Sequence, residues 1–297
     1  MRLDRSHAAE LHLFMHLNLD DAWETALLPT VDAREWGPRL RFSAPARLIE
    51  QFYAECRERI EAFTLYGSGD FHHLTALWLR RLSERIVVVS FDNHPDWDIR
   101  PPRWACGGWV NRALELPHVR EVSVWGCGNF ECWWPPQIFG NRAAERAGKL
   151  EVHPWADARP VSKQQRRGAI LRSNWRAQFK RFVDELGSSA VYVTIDLDCL
   201  QPAEAVTNWE NGKFTTEDVA WALGRLRSGT RVVGGDMCGA YSVPQYARRK
   251  QRFAAEFDHP KQPAVDQEHA REINTAALRR LWPILTDRYE HHAGSNQ

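Results

Sequence analysis

Two clusters of acidic and imidazole side chains stand directly after apolar runs in this chain of 297 residues. The first cluster, Asp92, His94 and Asp96, follows the apolar run at 86–89, and the second, Asp196 and Asp198, follows the apolar run at 191–195. Carboxylates at buried strand ends are costly unless a positive charge compensates them. A divalent cation is the simplest compensation, so the sequence predicts a metalloenzyme.

The spacing within each cluster suits a shared metal site. On an extended strand end, residues two apart point to the same side, so Asp92, His94 and Asp96 are expected to converge on one region. The same spacing brings Asp196 and Asp198 together. We therefore predict that both clusters face one crevice.

A third segment offers histidines to the same crevice. Residues 67–73, Gly-Ser-Gly-Asp-Phe-His-His, follow a predicted strand and open a predicted helix, and their glycines allow the tight turn between the two. His72 and His73 are both candidate ligands, and the sequence leaves the choice between them open. Ligands rich in oxygen and free of thiolate favour Mn²⁺ or a similar hard-to-borderline ion over structural zinc. Four carboxylates suit two ions per chain better than one.

The elements that must position these residues alternate between strands and helices. Predicted strands lie at 63–66, 86–91, 122–125, 150–153, 191–195 and around 232–233, and predicted helices lie at 73–84, 175–186, 217–226 and 266–285. Strands alternating with helices predict βαβ units and a parallel sheet. The fold class is therefore α/β, a three-layer αβα sandwich with a mainly parallel sheet. Ligands of such sheets bind at the carboxyl ends of the strands, where both clusters lie.

No linker divides the chain, which predicts a single domain over 1–297. Within it, residues 1–60 are interpreted as an N-terminal extension packed on the sheet, with helical periodicity at 45–62. Residues 290–297 are predicted to be a disordered tail. Thr215 or Thr216 is expected to cap the helix at 217–226.

Composition narrows the functional class. Lys and Arg number 39 against 38 Asp and Glu, so no basic surface indicates nucleic-acid binding. No apolar segment reaches the roughly 18 residues that a membrane span needs, and the first residues lack the apolar core of a secretory signal. The six cysteines are scattered and form no Cys-x-x-Cys pair. A cytoplasmic protein is predicted, with a small-molecule substrate and neither nucleic acid nor membrane as partner.

These three segments, in this order, resemble the arginase/agmatinase (ureohydrolase) family of binuclear manganese hydrolases. The family's Asp-Ala-His-x-Asp motif is similar to Asp-Asn-His-Pro-Asp at 92–96, and its Asp-Val-Asp-x-x-Asp-Pro motif is similar to Asp-Leu-Asp-Cys-Leu-Gln-Pro at 196–202. The family's Gly-Gly-Asp-His motif resembles 67–73 with an insertion. The resemblance covers about residues 66–241 and implies an arginase-like fold.

The resemblance also implies roles for the ligands. Asp92 and Asp196 would bridge two Mn²⁺ ions, His94 and Asp198 would hold one ion, and Asp96 with His72 or His73 would hold the other. A metal-activated bridging hydroxide would attack the carbon of a linear C–N bond in an amidine, guanidine or amide. Asp198 or a bound water would then pass a proton to the leaving amine. Homo-oligomerisation is expected from the family.

The sequence departs from the family pattern at two places. The family's guanidinium-binding glutamate falls at Gly239, at the end of Gly-Gly-Asp-Met-Cys-Gly at 234–239. The histidine of the family's Gly-Asn-x-His-Gly loop has no counterpart in the comparable loop at 106–109. A buried guanidinium without a charge partner is strongly disfavoured, so hydrolysis of arginine itself is not expected.

Two other functions remain open on the sequence. One is a mononuclear zinc deacetylase of the same superfamily, although the second Asp-x-Asp cluster and Asp96 give more carboxylates than a single zinc needs. The other is a metal-stabilised arginase-like binding protein without catalytic activity, which the missing glutamate and histidine would allow.

Overall fold

A sheet of eight strands forms the middle layer of the protein, as described by a computed structural model over residues 14–24, 28–261 and 264–286. The strands are β1 (Phe14–Asn18), β2 (Thr30–Asp32), β3 (Phe63–Tyr66), β4 (Ile86–Phe91), β5 (Val119–Cys127), β6 (Leu150–Pro154), β7 (Ala190–Asp196) and β8 (Arg231–Cys238). Their order across the sheet is β2-β1-β3-β8-β7-β4-β5-β6, and every pair of neighbours is parallel. The predicted α/β class is confirmed.

Helices cover both faces of the sheet. They are α1 (Gly37–Leu40), α2 (Ala46–Cys56), α3 (Thr75–Trp78), α4 (Trp109–Leu114), α5 (Arg142–Arg146), α6 (Val161–Gln164), α7 (Trp175–Leu186), α8 (Thr216–Gly229), α9 (Arg249–Asp258) and α10 (Gln267–Thr286). Val88 of β4 belongs to a core that includes apolar residues of α2, α3 and α4. Its neighbours Val87 and Val89 belong to a second core with residues of α7, α8 and α10. Because side chains alternate along a strand, the apolar runs of the sequence fill both cores.

Two strands near the start of the chain were not predicted. β1 pairs with β3, with Phe14 opposite Phe63, and β2 pairs with β1 at the edge of the sheet. Residues 14–18, Phe-Met-His-Leu-Asn, contain no β-branched residue, so their local preference for a strand is weak. Part of the segment 1–60 therefore lies within the sheet and is not only packed on it. The predicted tail at 290–297 falls outside the described residues.

The helix predicted at 73–84 is broken into shorter pieces. A 3₁₀ helix over Gly69–Leu74 carries both candidate histidines, the single α-helical turn α3 follows, and a second 3₁₀ turn spans Leu79–Arg81. Helix α8 begins as expected, with Thr215 as its cap. Thr215 Oγ1 accepts from the Asp218 backbone N–H while Asp218 accepts from that of Thr215. No helix in the described ranges has both the length and the apolar character to cross a bilayer.

Candidate metal centre

The two central strands bring the acidic clusters side by side. Phe91 at the end of β4 pairs with Ile195 of β7, so Asp92 and Asp196 follow at neighbouring strand ends. Asp198 lies in a 3₁₀ turn directly after β7, where its backbone N–H donates to Asp196 Oδ1 at 3.1 Å. β3, two places from β7 in the sheet, leads into the 3₁₀ helix that carries His72. All these chain segments meet at the carboxyl edge of the sheet.

Two groups of ligand atoms share Asp92. Nδ1 of His72 lies 3.1 Å from Asp92 Oδ2, 3.2 Å from Asp96 Oδ2 and 3.5 Å from Asp196 Oδ2. Nδ1 of His94 lies 2.8 Å from Asp198 Oδ2 and 3.7 Å from Asp92 Oδ1. The groups His72–Asp92–Asp96 and Asp92–His94–Asp198 are each compact enough to hold one ion. Each oxygen of Asp92 therefore faces a different histidine.

Burial makes this concentration of acid unfavourable without cations. The six residues are at most 9% exposed. Burial raises the pKa of Asp96 to about 7 and that of Asp198 to about 6, and the charge of Asp92 adds to both shifts. Burial and the neighbouring carboxylates also raise the pKa of Asp196. Four closely spaced carboxylates cannot all be ionised here unless positive charge enters the cluster.

The donor atoms fit a hard divalent ion. His72 Nδ1 and Asp92 Oδ2 are buried, and their 3.1 Å contact does not have hydrogen-bond geometry, so both atoms lack a hydrogen-bond partner in the described structure. Cys238 forms a third group with His72 and Asp196, which the sequence did not suggest. In the metal-free protein, burial raises the pKa of the Cys238 thiol well above its usual value. Oxygen and imidazole donors outnumber this one sulfur in the three groups, as Mn²⁺ prefers.

His73 is not brought into any of these groups. It is fully buried, and both of its ring nitrogens lack a hydrogen-bond partner among the residues that the structure describes. Burial lowers its pKa to about 3, so it stays neutral. Of the two adjacent histidines, the geometry therefore points to His72 as the ligand.

Two backbone conformations shape the site. Asp96 has a positive φ of 44°, a strained conformation that turns the chain after the first cluster. Gly239 has a φ of 102°, and a Cβ atom there would lie 2.2 Å from Asp196 Oδ1 and 2.4 Å from the Leu197 backbone nitrogen. No side chain fits at 239 while Asp196 keeps its place. The glycine at the family's glutamate position is thus required by the local packing.

Buried polar contacts anchor the segment that carries His72. Asp70, in the same 3₁₀ helix, accepts from Arg41 Nε at 2.6 Å and contacts His259 Nε2 at 2.7 Å. Arg41 is 1% exposed and also donates to Ser242 Oγ at 2.8 Å. These partners come from distant parts of the chain, and no sequence motif marks them.

A small cleft opens above the cluster. Asp92, His94, Asp96, Asp196 and Asp198 line its floor. Its upper walls include Glu131, Trp209, Glu210 and Asp258, none of which was identified from the sequence. Glu210 Oε2 lies 3.4 Å from His94 Nε2, and this contact lowers the pKa of Glu210, whereas burial raises that of Glu131 and Asp258. The cleft is therefore acidic from floor to mouth.

The fold and the site first define a class of protein: a parallel αβα fold with a buried carboxylate–histidine cluster at the carboxyl edge of its sheet. More narrowly, the chain belongs to the arginase family, because the sequence model of the Arginase family matches residues 7–257. The family resemblance seen in the three motifs is thus confirmed over most of the chain.

Individual relatives are distant. An uncharacterized protein of Thermotoga maritima is 27% identical over 177 residues, which are 59% of this chain and 57% of that protein. The structure of a protein from Clostridium difficile described as an agmatinase superposes with a TM-score of 0.53 at 14% identity, covering 94% of this chain and 98% of that one. Formimidoylglutamase from Bacillus subtilis gives a TM-score of 0.51 at 12% identity, covering 94% and 87%. At these identities the structural likeness shows the fold alone.

Proposed function

We propose that this protein is a manganese-dependent hydrolase with two ions per chain that cleaves a linear C–N bond in a small guanidine, amidine or amide. One observation supports this proposal most strongly: the two oxygens of Asp92 face His72 and His94 separately, each within a compact group of ligands. A single ion would leave one of these buried groups without compensation.

The side chains divide into two sets of ligands. Asp92, Asp96 and Asp196 would hold one ion with His72, and Asp92 would share a second ion with His94 and Asp198. Mn²⁺ ions bound there would supply Lewis-acid activation of a water molecule and of the scissile carbon. Asp196, which follows β7 next to Asp92 and accepts from the Asp198 backbone N–H, would help to hold the ions.

Asp198 is the proposed carrier of the proton for the leaving amine. Its Oδ1 accepts from the Asn93 backbone N–H at 3.0 Å, which fixes the carboxylate at the floor of the cleft. Asp198 Oδ2 also lies 2.8 Å from His94 Nδ1, so the carboxylate is placed beside the proposed ions, where it could pass a proton to the leaving amine.

The walls of the cleft favour a cationic substrate over a neutral amide. Glu131, Glu210 and Asp258 lie above the ligand cluster, and their carboxylates attract a guanidinium or amidinium group. They stand at different places from the family's glutamate, whose position is closed here by the packing of Gly239 against Asp196. We propose that the substrate is a guanidine or amidine bound in a different orientation from arginine.

The test combines metal counting with a substrate panel. Purified protein loaded with Mn²⁺ is assayed with guanidino, formimino and N-acyl compounds, and released urea, ammonia and carboxylate are measured. We expect two Mn²⁺ per chain and turnover of at least one guanidino or formimino compound. Asp198→Asn should lower kcat by about 10²-fold or more.

The control is Asp98→Asn, because Asp98 pairs with Arg100 outside the ligand groups and should keep both ions and full activity. One zinc ion per chain with turnover of N-acyl compounds would instead establish a deacetylase. Two bound ions without any product across the panel would establish a binding protein.

A further inference from the structure

The ring nitrogen of His72 that faces away from the ligand cluster is held by a buried chain of hydrogen bonds. His72 Nε2 lies 2.9 Å from Thr194 Oγ1, and Thr194 Oγ1 donates to Asp236 Oδ1 at 2.6 Å. Each of these three side chains is at most 1% exposed. We call His72, Thr194 and Asp236 the relay.

The direction of the hydrogen bonds in the relay is fixed by its last member. Asp236 is surrounded by hydroxyl donors: besides Thr194, Tyr192 Oη donates to its Oδ2 at 2.8 Å and Thr75 Oγ1 to its Oδ1 at 3.2 Å. The hydroxyl donors favour the ionised form of Asp236, and an ionised carboxylate can only accept. The hydroxyl proton of Thr194 therefore points to Asp236, and a lone pair of Thr194 accepts the proton of His72 Nε2.

This direction decides which nitrogen of His72 is available to a cation. Because Nε2 keeps its proton, Nδ1 is the nitrogen that carries a lone pair when the ring is neutral. Nδ1 faces the carboxylates of Asp92, Asp96 and Asp196 at 3.1–3.5 Å. The lone pair of Nδ1 and these three carboxylates repel one another unless a proton or a cation lies between them. A metal ion that binds there would take the place of the proton.

We propose that Thr194 and Asp236 are positioning residues that hold the His72 ring with Nδ1 aimed at one of the two ions. This inference rests on the proposed metal centre. His94 lacks such a relay, since its Nε2 faces Glu210, whose side chain is 50% exposed, at 3.4 Å. Loss of the relay should therefore weaken the ion bound by His72 and leave the ion bound by His94 nearly unchanged.

A purely structural role for the relay makes a different prediction. Thr194 of β7 and Asp236 of β8 are register partners in the sheet, so their hydrogen bond also joins two strands. If that were its whole contribution, removing the hydroxyl would lower the stability of the metal-free protein and affect both ions alike. The experiment must therefore measure the affinities for the two ions separately.

Thr194→Val removes the hydroxyl at nearly constant volume, and Thr194→Ser retains it. The matched control is Ser90→Ala, because Ser90 lies opposite Thr194 on β4 and its buried hydroxyl has no hydrogen-bond partner within the described structure. Mn²⁺ is titrated into metal-free protein by calorimetry, and the spin-coupled pair of ions is followed by electron paramagnetic resonance. Thermal unfolding of each metal-free variant is measured in parallel.

We expect Thr194→Val to weaken one Mn²⁺ site by about 10–100-fold and the other by less than about threefold. At low Mn²⁺ concentration, the electron paramagnetic resonance spectrum of this variant should change from that of a spin-coupled pair of ions to that of single ions. Thr194→Ser should restore both sites, and Ser90→Ala should match the wild type. If Thr194→Val does not fold, Thr194→Ser against Thr194→Ala asks the same question, because that pair differs only by the hydroxyl.

Equal binding by Thr194→Val and the wild type would overturn the inference. Equal weakening of both ions together with a lower unfolding temperature would overturn it in favour of the structural role. Wild-type protein that binds fewer than two ions would refute the proposed function itself and the inference with it.

Discussion

Replacing Gly239 by alanine should damage the metal centre without touching any ligand. The added Cβ would lie 2.2 Å from Asp196 Oδ1 and 2.4 Å from the Leu197 backbone nitrogen, both of which belong to the turn after β7. The Asp196 carboxylate would have to withdraw by roughly 1 Å to restore an ordinary contact. Because Asp196 lies between Asp92 and Asp198, this displacement would disturb both groups of ligands.

The loss of unfolding free energy in Gly239→Ala has two contributions, and a control variant can separate them. A positive φ disfavours alanine by about 1–2 kcal/mol relative to glycine, and the collision adds about 1–3 kcal/mol of overpacking. Gly148 also has a positive φ, of 68°, but a Cβ there meets no atom within 4 Å. Gly148→Ala therefore shows the backbone cost with little steric contribution, although its φ is closer to the left-handed helical region than that of Gly239.

Urea unfolding of the metal-free variants and Mn²⁺ titration measure the two effects. We expect Gly148→Ala to lose about 1–2 kcal/mol of unfolding free energy and to bind Mn²⁺ as the wild type does. Gly239→Ala should lose about 2–5 kcal/mol and bind Mn²⁺ at least about 10-fold more weakly. Wild-type affinity for Mn²⁺ in Gly239→Ala would show that Asp196 is not a ligand or that the turn adapts freely, and either result refutes the reasoning.

Two further predictions concern the cleft and the edge strand β6. Glu131→Gln and Glu210→Gln should each raise KM for a guanidino or amidino substrate about 3–10-fold with little change in kcat, because each removes a negative charge from the cleft. Glu115 lies outside the cleft, so Glu115→Gln should change neither KM nor kcat. Unchanged KM in both cleft variants would contradict selection of the substrate by charge. His153 is buried, and burial lowers its pKa from 6.5 to about 4, so its contribution to stability is complete above pH 6.5, falls progressively below pH 6.5 as the unfolded state takes up a proton, and is lost by about pH 4. Between pH 7 and pH 5, His153→Gln should therefore lose about 2 kcal/mol less unfolding free energy than the wild type in urea titrations, and equal losses would exclude His153 as a source of acid sensitivity.

The central strands could be predicted because their own residues prefer strands. β4 and β7 consist mostly of β-branched and aromatic residues, and the structure gives them within one residue of the predicted bounds. β1 has no such preference and exists through its pairing with β3, which no local pattern shows. The helix predicted at 73–84 was wrong at its start, where a 3₁₀ helix spans Gly69–Leu74 and its Asp70 contacts Arg41, a residue distant in sequence.

The candidate ligands could be predicted for a similar reason: they sit at fixed spacing directly after predictable strands. Glu131, Glu210 and Asp258 reach the cleft from turns and a helix end distant in sequence. Thr194 and Asp236 lie inside strands, where a Thr and an Asp give no sign of their partners. Their convergence on His72 follows from the parallel register of β7 and β8, which a single sequence does not specify.

The charges of the cleft connect the missing glutamate to the proposed choice of substrate. With two divalent ions, the four carboxylates of the ligand cluster would be balanced, so the cluster itself would exert little attraction on a cation. Glu131, Glu210 and Asp258 would then carry the remaining negative charge, at the walls of the cleft instead of beside Asp196. Since Gly239 closes the family's usual position, a cationic group can find its carboxylate partner only along these walls. The substrate should therefore place its charge farther from β8 than a guanidinium bound by the family's glutamate does.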